Sequence, residues 1–103
     1  MNAQTENIDP KFILLHPKDN TITALRDLSK GETLTIEEEG KREEIILREP
    51  IAYAHKAART YISKGSDVVK YGEVIGVATD NIEPGDHVHV QNVDSKRAKK
   101  DES

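Results

Sequence analysis

The chain of 103 residues contains no cysteine and no tryptophan, and its aromatic residues are three tyrosines and one phenylalanine. Without cysteine, neither a disulfide framework nor a thiolate metal site is open to it. No apolar run approaches the length of a membrane span or of a signal-peptide core, so the expectation is a cytoplasmic protein with no membrane partner. Clustered cations are also lacking. The net charge is −4, and the one basic run, KRAKK at 96–100, is diluted by Asp94, Asp101 and Glu102. Binding to a phosphate backbone needs concentrated positive charge, so nucleic acid is not an expected partner and the run reads as a solvated tail.

What is there is short and β-rich. Hydrophobic residues make up 35% of the chain and charged ones 33%, and both ends are poor in apolar side chains. Residues 1–11 and 94–103 therefore read as disordered, which leaves one domain over 12–93. FILL (12–15), TITAL (21–25), VVKYG (68–72), VIGVAT (74–79) and HVHVQNV (87–93) are strand candidates by β-branched content and alternation. ETLTI (32–36) alternates Leu34 and Ile36 against Thr33 and Thr35, and pairs in prospect with EEIILREPI (43–51) as a hairpin with Gly40 at its tip. The acidic run Glu37-Glu38-Glu39, flanked by Lys41 and Arg42, then reads as an exposed hairpin end. AYAHKAARTYIS (52–63) is the one helix-like stretch, with Ala52, His55, Arg59 and Ile62 on one side at helical spacing.

An apolar-x-x-Gly-x-x-apolar pattern occurs three times: Leu28 to Leu34 around Gly31, Ile62 to Val68 around Gly65, and Ile82 to Val88 around Gly85. In each copy the glycine sits where a tight turn wants a positive φ, and a strand candidate follows. The copies are too unevenly spaced for a solenoid. The expectation is a mostly β domain of turn–strand units. In the third copy Val88 and Val90 would face the core, and His87 and His89 would share the outward face, because side chains alternate along a strand.

The order HPKDNT (16–21), ALRDLSKG (24–31), His55-Lys56, VKYGEVIG (69–76) and GDHVHVQN (85–92) resembles the small SAF-type domain of altronate and galactarate dehydratases. It is also similar to the alpha subunit of sulfolactate sulfo-lyase. The resemblance spans the ordered region. It implies a β-clip fold of bent, crossing short strands with at most one short helix, fused in front of a large catalytic domain or made as a separate small subunit. It further implies elimination of water, or of sulfite, from a hydroxy acid, with a divalent metal, typically iron, in the complete enzyme. Two positions depart from the family pattern. Ala54 stands where glycine usually precedes the His-Lys pair, and Gln91 stands where some members carry a third histidine.

Elimination beside a carboxylate needs a base for the α-proton, cations for the developing charge, and an acid or metal for the leaving group. From the resemblance, Lys56 and Lys70 are candidate carboxylate anchors and His87 and His89 candidate substrate or metal contacts. His16 with Asn20, His55, and Tyr71 complete the candidate set, His55 with the weakest assignment. On composition alone the lysines are ordinary surface residues, the histidines solvent-facing strand residues, and Tyr71 a packing residue with its hydroxyl at the rim. Two histidines without a fixed carboxylate are too few for a dedicated metal site, so no tight metal binding by this chain alone is expected. The resulting expectation is a small subunit of a hydroxy-acid lyase, most readily an altronate-type dehydratase, inactive without a large catalytic subunit. A sulfolactate sulfo-lyase alpha subunit and a free-standing, non-catalytic binding module are the alternatives. Short strands with edges to cover leave self-association open.

Overall fold

The computed structural model describes residues 11–95. Nine short strands are β1 (Phe12–Ile13), β2 (Thr21–Ala24), β3 (Thr33–Glu38), β4 (Lys41–Ile46), β5 (Lys56–Ala58), β6 (Asp67–Lys70), β7 (Glu73–Ala78), β8 (His87–Val88) and β9 (Val93–Asp94). They form a sheet β1-β2-β5-β8, the hairpin β3-β4 and a sheet β6-β7-β9, every pairing antiparallel. No helix among the described residues is long and apolar enough to cross a membrane. The tails expected over 1–11 and 94–103 lie almost wholly outside the described residues. At the margins, the Lys11 carbonyl accepts the Leu25 amide and Asp94 pairs with Val77.

The β3–β4 hairpin turns at Glu39-Gly40, both at positive φ, with Leu34 and Ile36 buried as the alternation requires. The second hairpin, β6–β7, turns through Tyr71 and Gly72, again both at positive φ. Two consecutive left-handed residues match the right-handed twist of the flanking strands, which is why such turns close two-residue hairpins. Tyr71 is thereby turned outward and is 65% exposed, so it is a turn-tip residue and not the packing residue expected from composition.

The glycine repeat is a repeated structure. Gly31, Gly65 and Gly85 have φ of 89°, 89° and 91°. Their amides donate to the carbonyls of Leu47, Ala78 and Ala58, and the residue after each glycine accepts the amide of the same strand residue in return. Each copy thus docks reciprocally onto one strand end. The flanking apolar residues, Leu28 and Leu34, Ile62 and Val68, Ile82 and Val88, are all buried. Bridges join Leu28 to Ile51 and Ile62 to Ile82.

Two stretches differ from expectation. Residues 52–63 form a turn, then β5, then a second turn, and not a helix. Ala57 and Ala58, which favour a helix in isolation, are here completely buried between closely packed strands, and tertiary packing overrides the propensity. Residues 87–93 are not one strand. β8 ends after Val88, the chain turns with the Asn92 amide bonded to the His89 carbonyl at 3.0 Å, and Val90 is 80% exposed at the turn instead of facing the core.

The buried side chains fall into two clusters. The first gathers Phe12, Ile22, Leu34, Ile45, Leu47, Ile51 and Ala57 among others; the second gathers Ala58, Ile62, Val68, Ala78, Ile82 and Val88. Gly76 lies where Val93 crosses, and a Cβ there would meet Val93 Cγ1 at 2.5 Å.

Candidate functional site

The β5–β8 pairing positions the site. Lys56 lies opposite Val88 and Ala57 opposite His87, so one further step along the same register sets His55 opposite His89. Both chain ends here are fixed from outside the ribbon. Before β5, the Ala54 amide donates to Ala24 O at 2.8 Å, and the His55 carbonyl accepts the Ala24 amide at 2.9 Å. Ala54 itself adopts φ 71°, so the left-handed turn into the His-Lys pair is kept although the residue is not glycine. After β8, the Asn92 side chain accepts the His89 amide at 3.0 Å and donates to the His87 carbonyl at 2.8 Å.

Three half-buried imidazoles result. Ring centroids are 4.7 Å apart for His55–His89, 5.1 Å for His55–His87 and 5.3 Å for His87–His89. Nδ1 of His55 lies 2.9 Å from Nε2 of His87. One nitrogen of each ring falls within 4.8 Å of one nitrogen of both others. The sequence count of two imidazoles is therefore corrected to three: antiparallel pairing supplies His55, a contribution that spacing within one strand cannot reveal. Burial pushes the His87 pKa down, and the neighbouring His55, His89 and Lys56 charges act the same way against Glu49. A carboxylate that sequence reasoning missed stands beside the cluster, since Glu49 accepts the His87 amide at 2.8 Å. Gln91, at the departing family position, brings Nε2 to 3.4 Å from His87 Nδ1.

Lys56 and Lys70 form a second set. Lys56 is half-buried, and its pKa is lowered first by burial and then by the Lys70 charge. Among the described residues neither ammonium has a carboxylate within ion-pair distance. Two close, unpartnered cations are an arrangement that an anion relieves.

His16 and Asn20 are engaged elsewhere. Asn20 accepts the Val69 amide at 2.8 Å and donates to the Asp67 carbonyl at 3.0 Å. His16 accepts the Lys18 amide through Nδ1 at 3.1 Å, and its ring packs against Gly72. Between them, buried Asp19 accepts the amides of Tyr71 and Gly72 at 2.9 and 2.7 Å. The 16–20 loop is thus fastened to the β6–β7 hairpin by side chains.

Arg59 is the other residue that sequence reading passed over. Its guanidinium donates to Glu38, to both oxygens of Glu43, and to the carbonyls of Pro17 and Asp19. The acidic hairpin end is consequently tied back to the domain through Glu38. Arg59, Glu38, Glu39, Glu43, Lys41, Pro17 and Ile36 line a hollow of about 480 Å³.

A small all-β domain with an open histidine cluster on one ribbon is the class this architecture defines. Comparison with known proteins makes it specific: residues 10–96 match the family described as the altronate/galactarate dehydratase SAF domain, and the chain belongs to that family. It is 39% identical over 82 residues to altronate dehydratase of Escherichia coli strain K12, a match covering 80% of this chain and 16% of that protein. Identity to altronate dehydratase of Bacillus subtilis strain 168 is 40% over 81 residues, again 16% of the longer protein. The alpha subunit of (2R)-sulfolactate sulfo-lyase from Chromohalobacter salexigens is 27% identical over 88 residues, covering 82% of this chain and 94% of that subunit. The chain thus spans about a sixth of the length of the dehydratases it matches.

Proposed function

We propose that this chain is the small SAF component of an altronate-type hydro-lyase, presenting a histidine and lysine wall to a site completed by a larger catalytic polypeptide. The size relation carries the reading: the similarity takes in 80% of this chain but 16% of the Escherichia coli dehydratase. The chemistry is consistent with it. Lys56 and Lys70, without carboxylate partners, suit a substrate carboxylate. The imidazoles of His55, His87 and His89 suit hydroxyl groups or a proton relay near neutral pH. In the complete enzyme a divalent metal would polarise the departing hydroxyl.

The test is reconstitution. The purified chain is assayed on altronate alone and with a large dehydratase-like chain from the same source, following keto-acid formation. Activity is expected from the pair only, and turnover by the chain alone would overturn the reading. A second reading has its own support, because the match to the sulfo-lyase alpha subunit covers 94% of a separately made polypeptide. Sulfite release from sulfolactate by the same pair would favour it.

A further inference from the structure

The expectation of no tight metal binding rested on a pair of histidines. The fold supplies three, so the premise changes. We propose that His55, His87 and His89 form a three-nitrogen site on this chain that takes one divalent first-row transition metal and leaves positions open for oxygen ligands. The proposal extends the lyase reading but needs only this chain.

Distance favours it. Imidazole nitrogens bind zinc-like ions at about 2.0–2.1 Å, which sets neighbouring ligand nitrogens roughly 3 Å apart. Nδ1 of His55 and Nε2 of His87 are already 2.9 Å apart. The third ring belongs to the same group, in which one nitrogen from each residue lies within 4.8 Å of the others, so binding requires the rings to draw closer by side-chain rotation. An ion would take the place of the proton held between His55 Nδ1 and His87 Nε2, and that proton would pass to the outward nitrogen of the ring that carries it, leaving both facing nitrogens as ligands.

Preorganisation points the same way. His87 lies within β8, while His55 immediately precedes β5 and His89 immediately follows β8, and these two flanking positions are held by hydrogen bonds to Ala24 and Asn92. Glu49, bonded to the His87 amide, is a nearby negative charge that offsets part of the ion's charge without occupying the site. Among the described residues these three are the one group of potential ligands whose donor atoms converge. Three neutral nitrogens select zinc, iron(II), cobalt or nickel over magnesium and calcium, which prefer oxygen. The open positions suit chelation by the carboxylate and hydroxyl of a 2-hydroxy acid.

The experiment uses the isolated full chain and no lyase assay. Zinc(II) is titrated calorimetrically, and the ring nitrogens of the four histidines are followed by NMR. One equivalent is expected to bind at micromolar concentration or tighter, shifting three imidazoles and leaving His16 unmoved. His55→Ala, His87→Ala and His89→Ala should each weaken binding about tenfold or more, with amide dispersion checking that each variant folds. Magnesium should not compete. Absence of binding at millimolar zinc, or shifts confined to His16, would overturn the proposal, and the wild-type spectrum decides even if a variant fails to fold. Because no partner or substrate is present, a negative result here leaves the lyase reading standing, and a positive one does not establish it.

Discussion

A Cβ added to Gly85 would lie 2.2 Å from the carbonyl oxygen of Ile46, although 39 positions separate the two residues along the chain. Gly31 and Gly65 occupy the equivalent place in the other two turns, at nearly the same φ, yet have nothing within 4 Å. Alanine at either of those would therefore suffer only the left-handed strain, about 1–2 kcal/mol. At Gly85 a clash with backbone is added, and a loss of about 3 kcal/mol or more is expected, a large part of a small domain's stability. Urea denaturation of the three alanine variants gives the order, and equal losses would contradict it.

Asp19 should be the most sensitive polar position. It is 3% exposed and accepts two amides of the β6–β7 turn. Asp19→Ala strands both donors and is expected to cost about 2–4 kcal/mol. Asp19→Asn retains one acceptor and should cost less. Thermal melts measure the difference, and amide exchange at Tyr71 and Gly72 should accelerate in both variants.

Ala54 offers the opposite direction. Its φ of 71° costs an L-residue more than it costs glycine. Ala54→Gly removes that strain, partly offset by the greater freedom glycine has when unfolded, and a gain of about 0.5–1 kcal/mol is expected from the balance. The midpoint in urea should rise without a change in slope.

Glu32 supplies an acid-side dependence. Its pKa is lowered by the hydrogen bond from the Ser29 amide and by the charges of Arg26 and Lys11. A depressed carboxylate stabilises the fold fully above its unfolded pKa, and the contribution is lost as pH falls through the lower folded value. Stability should therefore decline below about pH 4.5, the ordinary value of such a group. In Glu32→Gln that part of the decline should be missing when the melts are repeated across pH 3–6.

The strands were readable from alternation, and the three glycine turns from their flanking apolar residues, because both signals are local. Residues 52–63 misled because alanine's helix preference is local while its burial between strands is not. Val90 misled because the turn after β8 depends on Asn92, two positions beyond the alternating run. The site was half readable. His87 and His89 share a face by period, but His55 joins them through a pairing 32 residues distant, and no periodicity reports that. Lys56 and Lys70 came from resemblance, whereas Glu49 and Arg59 carried no signal that separated them from other surface charges.

Ala57 belongs to the first buried cluster and Ala58 to the second, so consecutive methyl groups of a three-residue strand face different interiors. This leaves the segment with no tolerance for a change in length. Inserting or deleting one residue between His55 and Ala58 would exchange the occupants of the two interiors and turn His55 away from its partners at once. In natural relatives this step should keep its residue count wherever the imidazole cluster is kept.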